Sequence, residues 1–221
     1  MHENVAAVKE LPAALPHGER ILWQGAPQWR ALLRRAFHGR KLVGYFTATL
    51  ALRGASELYG GGTPLEALVA MLWLLPLALF ALGLVALLAW LTARASWYTI
   101  TDRRVVMRIG IVLEITFNFP FKVIDSAGLR LYADGTGDIP LQFMPGEQIA
   151  YVHLWPHARP WHVRRTEPML RCVADAAAVA ELLAGAIAAR TGGAALPIRA
   201  TASPAITVVA PARGRTAANA A

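Results

Sequence analysis

Two hydrophobic patterns divide the chain, an almost uninterrupted apolar stretch ending near residue 93 and an apolar/polar alternation beyond Trp97. From Ala67 to Ala93 there is no charged residue. About 27 residues rising about 1.5 Å each reach about 40 Å, more than a hydrocarbon core of about 30 Å. This run predicts a tilted or kinked membrane span, with Pro76 inside it. Trp90, Trp97 and Tyr98 suit an interfacial aromatic belt, and Arg94 marks the exit into water. An earlier span, Leu42 to Tyr59, is weaker because Arg53 and Glu57 interrupt it. The two charges are spaced to pair one helical turn apart, and Arg53 lies close enough to the far end to reach the interface. A hairpin over 42–94 is therefore expected, with spans at 42–59 and 67–93 and the turn Gly60-Gly-Gly-Thr-Pro64 between them.

Cationic residues flank this hairpin on both sides. Arg34, Arg35, Arg40 and Lys41 precede it, Arg94, Arg103, Arg104 and Arg108 follow it, and the turn carries none. The positive-inside rule then puts both termini in the cytoplasm. Within the N-terminal segment, 1–41, Trp29, Leu32, Leu33, Ala36 and Phe37 recur at helical spacing among Arg30, Arg34 and Arg35. That spacing predicts a basic amphipathic helix lying on the inner leaflet as an anchor into the hairpin. Met1 to Glu10 lacks an apolar core and a cleavage site, so no removable signal peptide is expected.

Past Trp97 the period falls to two. Val105, Met107 and Ile109 alternate with Arg104 and Arg108; after Gly110, Ile111, Leu113, Ile115 and Phe117 alternate with Glu114 and Asn118. Two strands in a hairpin follow from this pattern. Asp125 to Ala133 and Ile139 to Phe143, flanking Asp134-Gly-Thr-Gly-Asp138, predict another hairpin. Ile149 to Trp155 and Trp161 to Val173 are expected to supply the remaining strands. A closing helix is predicted from Asp175 as N-cap through Val179, Leu182, Leu183, Ala186 and Ile187 to Gly192-Gly193. Residues 191–221, rich in Ala, Thr and Pro without a sustained period, are expected to be a disordered tail. The fold class is α+β: a two-helix transmembrane hairpin followed by a small antiparallel β domain, 97–190, with a C-terminal helix.

Composition agrees with a membrane protein. Of 221 residues 56% are hydrophobic and only 16% charged, with a net charge of +8. The excess of Arg beside apolar spans reads as a topology signal, and no nucleic-acid motif accompanies it. Cys172 is the single cysteine, which excludes an intramolecular disulfide or a CxxC pair. His153, His157 and His162 invite a metal or chlorophyll-ligand reading, but their placement on strand and turn favours surface and interface histidines. Asp134 to Asp138 lacks calcium-loop or Walker features and reads as a tight turn. No nucleophile elbow or catalytic carboxylate pair is present, so no enzymatic activity, cofactor or metal is expected.

Seven or so short antiparallel strands and one C-terminal helix resemble the element order of pleckstrin-homology-like domains. Trp97-Tyr-Thr-Ile-Thr-Asp-Arg-Arg-Val-Val-Met-Arg-Ile-Gly110 is similar to the opening strands of bacterial PH-like membrane proteins, with their Thr-x-x-Arg turn and Arg-x-Gly end. Glu19-Arg-Ile-Leu-Trp-Gln-Gly-Ala-Pro27 resembles the segment these proteins carry before their first span. Three blocks, Leu15 to Arg30, Arg130 to Pro140 and Tyr151 to Trp161, resemble in order the PuhB family of photosynthetic-complex assembly proteins of purple phototrophic bacteria. That resemblance implies a non-enzymatic assembly factor in the bacterial inner (intracytoplasmic) membrane, with reaction-centre subunits and membrane lipid as partners. Homo-oligomerisation stays open. Candidate partner-docking residues are Trp155, His157, Arg159 and Trp161, because aromatic and Arg side chains dominate interface energetics. Candidate lipid-facing basic residues are Arg34, Arg35, Arg104 and Arg108. The alternatives are a general PH-like protein binding anionic headgroups and a bacteriochlorophyll-handling protein.

Overall fold

A computed structural model describes residues 18–145, 149–160, 162, 166–191, 199–201 and 205–209. The chain divides into two compact units: Gln28–Ala95, and the chain on both sides of it, up to Pro27 and from Ser96.

The inner unit is helical, with α1 (Trp29–Arg35), α2 (Gly39–Tyr59) and α3 (Pro64–Ala95). The start of α3 follows from a capping box: the Thr63 N–H donates to Glu66 Oε2 at 2.6 Å, and the Glu66 N–H donates back to Thr63 Oγ1 at 3.3 Å. Pro64 occupies the first helical position, where its missing N–H costs nothing. Helix α2 packs on α3 with Gly54 facing Met71; a Cβ there would sit 2.9 Å from Met71 Sδ, so the flexible methionine side chain would have to shift. The expected pair one helical turn apart forms, Arg53 donating to Glu57 at 2.6 Å. Among the described residues one helix, α3, is long and apolar enough to cross a membrane. The expected amphipathic helix is present as α1; it packs against α3, with Ala31 and Leu32 buried.

The outer unit holds two antiparallel sheets. The first runs β1 (Ile21–Gly25), β2 (Trp97–Thr101), β3 (Arg104–Ile109) and β4 (Ile115–Pro120) in that order. The second is ordered β7-β6-β5-β9-β8, built from β5 (Ile124–Leu131), β6 (Gly137–Phe143), β7 (Met169–Val173), β8 (Arg199–Thr201) and β9 (Ala205–Val209). Alternate residues of both sheets meet in one core, with Tyr98, Ile100, Val105, Met107 and Phe119 from the first and Leu129, Ile139, Leu141 and Leu170 from the second. Helix α5 (Ala176–Thr191) packs on β5 and β6, adding Val179, Ala180, Leu183 and Ile187 at helical spacing.

Four expectations are corrected. Residues 21–25 are not part of a separate N-terminal segment: β1 pairs with β2, Gly25 opposite Tyr98, so the helical unit is an insertion within a sheet. Ile111 and Leu113 do not belong to a strand, since β4 begins at Ile115 and residues 110–113 form the hairpin tip. Residues 151–154 form a helical turn, α4 (Tyr151–Leu154), because apolar Tyr151 and Leu154 bury at a spacing of three while Val152 faces out. In the expected tail, Thr191 ends α5 and 199–201 and 205–209 are strands, β9 lying along β5; its other residues lie outside the described ones. Strand β1 thus takes the place expected of a strand at 149–155 in the seven preceding α5.

Candidate functional site

The Thr-x-x-Arg turn explains itself locally. Thr101 Oγ1 accepts the N–H groups of Arg103 at 3.2 Å and Arg104 at 3.0 Å, turning β2 into β3. The turn aims Arg104 at Glu19: Nε donates to Oε1 at 2.8 Å and Nη2 to Oε2 at 2.7 Å, a two-pronged pair. The Glu19 side chain is 2% exposed. Arg104 holds its carboxyl below the usual range against the opposing effect of burial. Beside it, Asp102 Oδ1 accepts the Arg20 N–H at 3.0 Å, and Arg103 Nη2 donates to the Gly18 carbonyl at 3.3 Å. Residues 18–20 are thus fastened to the β2–β3 turn.

Arg108 is engaged in the same way, pairing with Glu114 across the β3–β4 hairpin. Both β3 cations proposed as lipid-facing therefore meet carboxylates of the chain itself. Arg34 is exposed on α1, its Nε donating to the Arg30 carbonyl at 3.2 Å, and Arg35 is half-buried.

The proposed docking segment separates into three environments. Trp155 is 58% exposed beside Val152, a short apolar surface. Arg159 pairs with Glu167 at 2.7 Å, and its N–H donates to the Glu167 carbonyl, closing the loop on itself. Trp161 lies outside the described residues. His157 is a correction: at 1% exposed it is a core residue and presents no docking surface. The three histidines do not converge, since His153 is exposed and His162 Nδ1 lies 3.0 Å from the Pro160 carbonyl. Among the described residues, no group of three His, Cys, Asp or Glu side chains is placed to hold a metal.

What His157 does instead is hold the place where the chain enters the sheet. Its Nδ1 lies 2.6 Å from Tyr98 Oη and its Nε2 3.0 Å from Ser96 Oγ. Tyr98 Oη also accepts the Arg171 N–H at 3.3 Å. The tyrosine proton is then available for Nδ1, and the ring proton on Nε2 donates to Ser96. Burial pushes the His157 pKa down to about 3, with Arg171 adding to the effect, and burial raises Tyr98 well above its ordinary value. Arg171 is itself buried, Nη1 donating to the Pro156 carbonyl at 2.9 Å.

Asp138, expected in a turn, belongs to β6 and is buried. Its Oδ1 accepts the Cys172 N–H at 2.8 Å and its Oδ2 the Tyr132 hydroxyl at 2.6 Å. Burial, and then the Asp138 charge, raise the Tyr132 pKa above its ordinary value. Gly137 is likewise a packing position, since a Cβ there would lie 2.6 Å from Ala176 Cβ. Only Asp134 acts as the turn residue, accepting from the Thr136 N–H and hydroxyl. The reciprocal pairing of Glu19 and Arg104 was open to sequence reasoning through the two motifs that hold them; nothing in the local sequence marks His157 as buried.

Among the described residues, these side chains bond to one another and fix the strands and turns that carry them. A relative from Rhodobacter capsulatus, named as an uncharacterized 23.7 kDa protein in the puhA 5' region, is 42% identical over 81% of this chain and 85% of its own. No solved structure matches significantly. The model of the bacterial PH domain family matches residues 60–187, from just before α3 through β2 to β7 and into α5. With more than half its length matched in this way, the chain belongs to the bacterial PH domain family.

Proposed function

We propose that the chain is a non-enzymatic, membrane-bound assembly factor for the photosynthetic reaction centre, of the PuhB type. The observation that carries this is the relative in the puhA 5' region, whose genomic position fits the client implied by the resemblance. In a strain lacking the gene, reaction-centre absorbance and light-induced charge separation are expected to fall well below wild type. Unchanged levels would overturn the assembly role.

The pairing of the first sheet supports a two-span topology where hydropathy alone offers one span. Gly25, before the helical insertion, pairs with Tyr98, just after it. Hydrogen-bonded strands share one side of a bilayer, so the insertion crosses an even number of times. If α3 crosses, α2 is the available return; its 21 residues reach about 31 Å. The paired Arg53 and Glu57 lie in its last two turns, where charge costs less than at the centre. Together with the cationic flanks, this pairing supports cytoplasmic termini. In the full chain, Tyr59→Cys is expected to react with an impermeant maleimide on spheroplasts, and Lys122→Cys only after lysis. Cys172, being buried, stays silent. The reverse pattern would refute the orientation.

The spans would pack against client helices, association within lipid resting on close van der Waals contact rather than hydrophobic transfer. The cytoplasmic domain offers Trp155, Val152 and the Arg159 loop as a docking face. The alternative of headgroup binding through Arg104 and Arg108 is less well supported, because Glu19 and Glu114 already neutralise them.

A further inference from the structure

The β3–β4 tip is an apolar finger that the assembly reading does not use. Three consecutive side chains stand out from the sheet, Ile111 at 43%, Val112 at 89% and Leu113 at 78% exposed. Nothing from Ile109 to Leu113 is charged, and the charges at the neck, Arg108 and Glu114, pair with each other. The finger is preformed: Ile109 and Ile115 make the last rung, and Gly110 adopts φ +119. A Cβ at Gly110 would lie 2.0 Å from the Leu113 carbonyl oxygen, so the tight return excludes other residues.

Its position along the sheet identifies the surface it meets. Trp97 pairs with Arg108, and only Ser96 separates Trp97 from the last residue of α3. Preceding Trp97 leads into the helix; following Arg108 leads into the tip. Both therefore leave the sheet at the same end. From Arg108 to Val112 the chain extends at most about 13 Å. A helix leaving a bilayer at Ala95 thus brings the finger within reach of that membrane face.

We propose that Ile111, Val112 and Leu113 insert into the headgroup–acyl boundary of the leaflet from which α3 emerges. An uncharged apolar tip above a neutralised ion pair has the chemistry of an interfacial insert, for which the lipid composition is secondary. Its contribution is to fix the domain against the membrane at a second point besides the covalent link. The proposal rests on α3 crossing the membrane, and the test separates the two.

Full-length chains carrying Val112→Cys or Phe80→Cys are spin-labelled and placed in phosphatidylcholine/phosphatidylglycerol vesicles, with the wild-type chain as the unlabelled control. Collision rates with oxygen, enriched in lipid, are compared with those of a water-soluble nickel chelate. At Val112 a several-fold preference for oxygen is expected, shallower than at Phe80. Preference for the nickel chelate at Val112, with Phe80 deep in lipid, overturns the finger and leaves the span intact. Access to neither reagent at Val112 means that protein covers the tip, as a second copy or a partner seated on α4 beside Ile109 would, and also overturns it. Nickel access at both positions overturns the span and the finger together.

Discussion

Arg104→Ala is expected to destabilise the β domain by about 3 kcal/mol, because it strands the Glu19 carboxylate in a site where its side chain is 2% exposed. The appropriate measurement is urea unfolding of the full chain in detergent micelles, followed by near-ultraviolet circular dichroism. Arg108→Ala is an internal control on the same strand. Its partner Glu114 is half exposed, and the loss is expected to stay under about 1 kcal/mol. The pH dependence has a definite sign. Glu19 is depressed in the folded state by Arg104, so the pair contributes fully above the ordinary carboxylate pKa and fades as pH falls through the lower folded value. The gap between wild type and Arg104→Ala should therefore narrow in strong acid. Equal losses for the two arginine variants would mean that the clasp on residues 18–20 is not structural.

His157→Ala is expected to cost about 3 kcal/mol at pH 8, combining a cavity with the loss of the buried bonds to Ser96 and Tyr98. A second signature distinguishes the buried imidazole from a merely well-packed ring. With its folded pKa near 3 and an unfolded value of about 6.5, His157 binds a proton on unfolding through that whole interval. Its contribution is complete above about pH 6.5 and declines below it by up to about 1.4 kcal/mol per pH unit. The variant should lose this slope between about pH 6.5 and 5, where carboxylates have barely begun to titrate. An identical slope in wild type and variant would place the titrating group elsewhere.

Much of this architecture was legible in the sequence because its signals are local. The uncharged run inside α3, the alternation of Val105, Met107 and Ile109, and the Arg53–Glu57 spacing each depend on neighbours within a few residues. Strand β1 was not, because its partner β2 lies beyond the whole helical insertion and five residues carry too little pattern to demand a sheet. Period two also fails at a hairpin tip. Ile111 and Leu113 continue the alternation of β3 and β4, although Gly110 has already reversed the chain. In α4 apolar content alone suggests a strand, whereas buried Leu154 and partly buried Tyr151 stand three residues apart, the spacing of a helical turn. Of the candidate docking residues, Trp155 remains on the surface while His157 is drawn inward by Tyr98 and Ser96. Hydrogen bonding across 59 and 61 residues leaves no imprint on local composition.

Because β1 precedes the helices and β2 follows them, the order of synthesis constrains how the domain is completed. Residues 18–25 leave the ribosome first and have no partner until both helices have been made. Glu19 waits 85 residues for Arg104. Bringing such distant ends together costs loop entropy, which a helix pair that returns to its starting side reduces by shortening the effective loop. A nascent chain in which only one helix had entered the bilayer would hold β1 and β2 on opposite faces, with the first sheet unable to close. On the proposed two-span topology, the first sheet would close only once both helices had inserted, and a chain that failed to do so would display unpaired strand edges.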